Sequence, residues 1–131
     1  MTIAAPQANA PLVSVQQIQE AITSGMSNFR PERVYGGCAR IYVEIGSLGG
    51  YAETDPEIKK ANRRATNALR KQVKKACEGL GRIYQAKGYG VSHAIYIGLD
   101  NATCREYSQG AQVARNLKAL GIPAWVEGVG D

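Results

Sequence analysis

The sequence predicts a single α+β domain, a two-layer sandwich in which a small sheet of three or four strands carries its helices mainly on one face. Three observations lead there. The 131 residues suit one domain better than two, and an apolar fraction of 44% can fill a core. Segments of helical and of alternating periodicity follow one another as α-β-α-β-α-β. The clearest strand alternates apolar and polar residues, as a strand with one covered face does.

Residues 1–11 hold Ala, Pro, Gln and Asn with almost no bulky side chain and read as a disordered leader, leaving 12–131 as the domain. A first helix is expected over 15–24. Ser14 and Gln17 form a capping box, Val15, Ile18 and Ile22 share a face, and Gly25 is expected to stop it. Within 33–45, Gly36-Gly37 allows a hairpin turn or a bulge. From Ala39 onward Ile41, Val43 and Ile45 alternate with Arg40, Tyr42 and Glu44, which is the pattern of a half-buried strand.

Gly46-Ser47-Leu48-Gly49-Gly50 reads as a turn, and Thr54-Asp55-Pro56-Glu57 opens a long helix. Asp55 or Thr54 can cap it, Pro56 suits its first turn, and the acids lie near the positive end of its dipole. The stripe Ile58, Ala65, Leu69, Val73, Ala76, Leu80 and Ile83 extends that helix over about 56–87. Such a rod is about 45–50 Å long at ~1.5 Å per residue. Gly79 and Gly81 each cost roughly 1 kcal/mol inside a helix, so an end at Glu78 with an extra strand over 82–85 is the competing outcome.

Gly88 suits a C-terminal cap for the longer helix, and 91–97 reads as a second strand. Thr103 and Glu106, preceded by Asp100-Asn101, form another capping box. The helix that follows runs to Leu120, buries Tyr107, Ala111, Val113, Ala114 and Leu117, and stops at Gly121; a third strand covers 124–127. A helix–Gly–strand pattern recurs at 87–98 and 120–128, too briefly for an internal repeat. The layering has a ferredoxin-like tendency, and a three-layer βαβαβ arrangement is the alternative.

Several function classes are excluded early. The leader lacks the basic start and apolar stretch of a secretory signal, and no segment reaches membrane-spanning length, so a soluble, cytoplasmic chain without a membrane partner is expected. Cys38, Cys77 and Cys104 are widely spaced and His93 is the only histidine, which leaves too few ligands for a structural zinc site. Reduced thiols are expected, and neither a metal nor a cofactor is assigned.

Charge gives the sharpest signal. Of the 16 Lys and Arg residues, Lys59, Lys60, Arg63, Arg64, Arg70, Lys71, Lys74, Lys75, Arg82 and Lys87 fall in 56–87 against only Glu57 and Glu78, while the remainder of the chain is net acidic. A face that serves only solubility usually mixes signs, because like charges four apart on a helix subtract a few tenths of a kcal/mol. Lys59/Arg63, Lys60/Arg64, Arg70/Lys74 and Lys71/Lys75 are all such pairs. A solvated face is the bland reading. An anionic partner that relieves the repulsion is the sharper one, with nucleic acid ahead of an acidic protein surface.

The sheet face away from the helices offers a second candidate. Arg40, Tyr42, Tyr96 and Trp125 there could stack unpaired bases, be covered by the first helix, or form a homodimer through the open face. Ile41-Tyr42-Val43 resembles the core of the first-strand motif of the RNA-recognition motif, and Lys87-Gly88-Tyr89-Gly90 resembles the opening of its third-strand motif. The likeness covers seven residues. Val91 and Ala94 stand where that family places stacking aromatics, and membership is not assigned on it.

Weaker candidates complete the reading. Amides around Ser47 and Gly49, ahead of a helix start, could hold a phosphate, and the strand-end loops near Gly46, Gly98 to Asn101 and Glu127 could form a ligand crevice. A flexible connector is the plainer reading of that turn, which matches no phosphate-loop motif. Cys104 in a helical first turn, with His93 pointing inward, could pair as a nucleophile and base. Glu44, Asp100 and Glu127 could gather as carboxylates. None of these fixes a reaction. The expected function is a small nucleic-acid-associated binding protein that contacts phosphates through the basic helix, or a regulator or inhibitor docked on an acidic surface of a larger complex, nucleic-acid-processing complexes included. A small nucleotide-binding enzyme using Ser47, Asp100, Asn101 and Glu127 ranks third.

Overall fold

The computed structural model describes residues 13–27, 38–49, 52–86, 93–101 and 109–130. The leader, the Gly36-Gly37 turn, Lys87 to Gly90, Cys104, the Thr103/Glu106 capping box and Tyr107 lie outside the described residues. The elements are α1 (Val15–Ser27), β1 (Cys38–Ile45), α2 (Pro56–Gly79), β2 (Tyr84–Gln85), β3 (Ala94–Asn101), α3 (Gln109–Ala119) and β4 (Ala124–Gly130).

The four strands form one antiparallel sheet in the order β2-β3-β1-β4. From β1 onward the chain is therefore β-α-β-β-α-β, the ferredoxin-like arrangement, with α1 added before it. Ile41, Val43, Ile45, Ile95, Ile97 and Ala124 join one buried cluster with Ile18 and Ile22 of α1, Leu69 and Val73 of α2, and Val113 and Leu117 of α3. The helices thus share one face of the sheet. The three-layer alternative fails because its parallel strands would need helices on both faces.

Local signals explain most boundaries. Ser14 and Gln17 exchange the two bonds of a capping box, at 3.0 and 3.1 Å. Gly25 does not stop α1. It lies inside the helix, where a Cβ would meet Val113 at 2.7 Å, so glycine here lets α1 approach α3. Asp55 caps α2 by accepting from the Glu57 amide at 2.8 Å, with Pro56 in the first turn.

The long helix ends at Gly79 rather than near Lys87. Gly81 takes φ +67°, its amide donates to Glu78 and the Arg82 amide donates to Cys77. These two bonds make a Schellman cap, and β2 follows at once. The same cap closes α3: Gly121 has φ +86°, its amide donates to Lys118, and the Ile122 amide donates to Leu117. Among the described residues the helix–Gly–strand unit is therefore seen at Leu80-Gly81 and Leu120-Gly121.

The second strand also departs from expectation. Within the described residues β3 begins at Ala94 and runs on through Asp100 and Asn101, which pair with Ala39 and Cys38. A bulge carries it past Gly98: Ile41 pairs with Gly98 but Tyr42 with Tyr96, and Gly98 absorbs the irregularity at φ +133°.

Candidate functional site

Helix α2 is 24 residues long, about 36 Å at ~1.5 Å per residue. Its buried side is Ala65, Thr66, Leu69, Val73, Ala76 and Cys77. The eight cations expected as a binding surface all lie away from that side: Lys59, Lys60, Arg63, Arg64, Lys71, Lys74 and Lys75 are exposed and Arg70 is half-buried. They form two rows of identical spacing. Lys59, Arg63, Arg70 and Lys74 follow one flank, and Lys60, Arg64, Lys71 and Lys75 follow the crest, each row spanning about 22 Å. Among the described residues no carboxylate from another element is paired with any of the eight. The four like-charged i,i+4 pairs together cost about 1–2 kcal/mol. That cost is carried by the buried stripe and the Asp55 cap.

The flank row is built into clefts. The turn after β1 is tied to α2 by the Leu48 amide, which donates to the buried Thr66 Oγ1 at 2.9 Å, and by Gly49, whose Cα lies so close to Asn62 that a side chain would overlap it. Between this turn and α2 is a cleft of about 300 Å³ lined by Ser47, Glu53, Lys59, Asn62, Arg63 and Arg70, in which the Glu53 carboxylate accepts from the Thr54 and Asp55 amides. A second cleft of about 360 Å³ continues from Asn67 and Arg70 to Lys74, Tyr84 and His93. Arg70 stands where the two meet, its Nη2 3.5 Å from Ser47 Oγ and its Nε buried without a partner.

Tyr84 and His93 form the end wall. Their rings stack at 5.9 Å and Tyr84 Oη lies 3.1 Å from His93 Nδ1. Burial, helped by the adjacent Arg70 guanidinium, holds His93 below the usual imidazole range, and burial pushes the Tyr84 hydroxyl up to about 12. At neutral pH the pair is uncharged, so Tyr84 and His93 add a neutral aromatic wall beside the cations. The inward parity expected for His93 holds, since Tyr84 pairs with the core residue Ile95 on the same face. Arg82 is drawn away from the basic surface, because its Nη1 donates to the Ile97 carbonyl at 3.0 Å.

The other sheet face does not make a flat stacking platform. Tyr42 is only 6% exposed, and its ring meets Tyr96 at 5.3 Å with the planes tilted by 50°. Tyr42 sits on the central strand β1, where neighbours on β3 and β4 cover it; Trp125, on the edge strand β4, stays 43% exposed. Trp125 donates Nε1–H to Glu44 Oε2 at 3.0 Å. Glu44 is 2% exposed and its Oε1 has no partner. Burial first and Glu127 second raise its pKa, against the opposing effect of the Trp125 bond.

The expected strand-end crevice is dispersed by the antiparallel sheet. Ser47 follows the end of β1, next to the starts of β3 and β4, whereas Asp100 pairs with Ala39 at the opposite end and Glu127 pairs with Tyr42 in mid-strand. Glu44 and Glu127 are neighbours, but Asp100 is not with them. Two backbone amides of the turn are already used, since the Gly46 amide donates to Pro123 and the Leu48 amide to Thr66. Among the described residues no cluster of His, Cys, Asp and Glu could hold a metal ion, and no helix is long and apolar enough to cross a membrane.

Tyr84, Asn62 and Asn67 are site residues that sequence reading did not single out. The signal for Tyr84 lay in the alternative end of α2 at Gly79, which makes 82–85 a strand. Comparison with family models, with curated proteins and with solved structures finds no match for this chain.

Proposed function

We propose that the protein is a nucleic-acid-binding protein rather than an enzyme, and that the solvent side of α2 is its phosphate-contacting surface. The observation that carries this reading is the double row of eight cations without a carboxylate partner among the described residues. Internal ion pairs would have relieved the repulsion and left no need for an external anion. A polyanion relieves it instead, and phosphate neutralisation supplies broad affinity without a sequence requirement.

The test is charge reversal on exposed positions. Arg63, Arg64, Lys71 and Lys74 are all replaced by Glu; Arg70 is kept because it is half-buried beside His93. Fluorescence polarisation with a random labelled oligonucleotide is expected to lose binding, while the thermal midpoint stays close to that of the unaltered chain. Binding that survives the four reversals would sink the reading.

An acidic protein surface is the second reading, favoured by the exposed Ile58 (40%) in the first turn of α2 and Ile83 (56%) just past its end. Apolar side chains flanking a charged surface suit a protein interface better than a phosphate backbone. On this reading the chain is expected to bind no purified oligonucleotide and to retain its partner after nuclease treatment.

A further inference from the structure

Resting on the nucleic-acid reading above, we propose that the flank row of α2 holds a single strand rather than a duplex, with phosphates on Lys59, Arg63 and Arg70 and an unpaired base against the Tyr84–His93 pair. The crest row is exposed, with Lys71 alone also lining the second cleft, whereas every cation of the flank row borders one of the two clefts. Arg70 is half-buried at the junction of two clefts of about 300 and 360 Å³, each at the lower end of small-ligand pockets, so a slender chain reaches it more readily than a rigid double helix.

The chemistry changes along the groove in the order a single strand requires. At one end Ser47, Asn62 and Asn67 add hydrogen-bonding groups to the cations, which suits phosphate and sugar, and the Glu53 carboxylate there is engaged by the Thr54 and Asp55 amides. At the other end Tyr84 and His93 offer an uncharged aromatic pair. Bases expose a stacking face only when unpaired, and stacking on aromatic side chains is the common device of single-strand binders. The 3.5 Å approach of Arg70 Nη2 to Ser47 Oγ is at the limit of a hydrogen bond, so a phosphate oxygen can displace it at little cost.

The experiment compares a labelled ten-nucleotide single strand with the blunt duplex of the same sequence at one salt concentration, using the whole chain. The single strand is expected to bind more tightly and to shift the NMR signals of His93, the only histidine, whereas the duplex leaves them in place. Tyr84→Leu is expected to weaken single-strand binding about tenfold without changing duplex binding. Tyr84→Phe keeps the ring and is expected to keep the affinity, which separates stacking from loss of fold. Equal affinity for both forms with an unmoved His93 would overturn this proposal and leave the phosphate-binding reading intact. Absence of binding to either form would overturn both, and salt-sensitive binding to polyglutamate alone would point to an acidic protein instead.

Discussion

Thr66 is where the fold and the groove are joined, and replacing it tests that junction. Its hydroxyl is buried and accepts the Leu48 amide at 2.9 Å, the bond that holds the turn carrying Ser47 against α2. Thr66→Val preserves the shape but leaves that amide without an acceptor. An orphaned buried donor costs about 1–3 kcal/mol. At roughly 4 °C per kcal/mol for a domain of this size, the thermal midpoint is expected to fall by about 4–12 °C. Thr66→Ser keeps the hydroxyl and loses one methyl, at a cost of about 1 kcal/mol. Because the two costs can overlap, amide hydrogen exchange at Leu48 is the deciding assay. The Val variant is expected to lose protection there and the Ser variant to retain it. If Thr66→Val melts within a degree of the unaltered chain and Leu48 remains equally protected, the turn is not held as described, and the cleft around Arg70 loses its wall.

Three other outcomes follow from the same geometry. Gly121→Ala meets no atom within 4 Å, so only its φ of +86° opposes a side chain and the loss is expected to be about 1 kcal/mol; Gly49→Ala adds overlap with Asn62 to a φ of +95° and is expected to cost clearly more in urea unfolding. Equal losses would show that Asn62 gives way freely. Glu44 binds its proton more tightly in the folded chain than in the unfolded one, so its contribution to stability is present at low pH and is lost as pH rises through the raised pKa. Glu44→Gln is therefore expected to gain stability over the unaltered chain at pH 8 relative to pH 4, and a pH-independent difference would contradict the assignment. Burial pushes the Cys77 thiol up to about 12, leaving about one thiolate in ten thousand at pH 8, so alkylation followed by peptide mass spectrometry is expected to modify Cys77 only as fast as the protein unfolds.

Much of the architecture was legible because it rests on local chemistry. The capping box at Ser14, the Asp55-Pro56 start and the Ile41-Val43-Ile45 alternation each involve residues within a few positions, where hydrogen-bond geometry and side-chain period act without the rest of the chain. The end of α2 was harder. Ile83 continues the apolar stripe, but the Gly81 Schellman cap overrides it, and Ile83 ends 56% exposed. Gly25 misled in the opposite sense, because a glycine that admits a neighbouring helix looks in sequence like one that ends its own.

The sequence by itself determined the α+β class, the cap chemistry and the placing of eight cations on one side of a helix, since each depends on spacing along a single segment. Only the tertiary structure decided that Tyr84 and His93 close a groove beginning near Ser47, that Tyr42 is covered, and that Asp100 lies far from Ser47. Strand order and direction set those juxtapositions. Pairing between distant strands is chosen by burying the whole sheet face at once, a collective energy that no single stretch of residues carries.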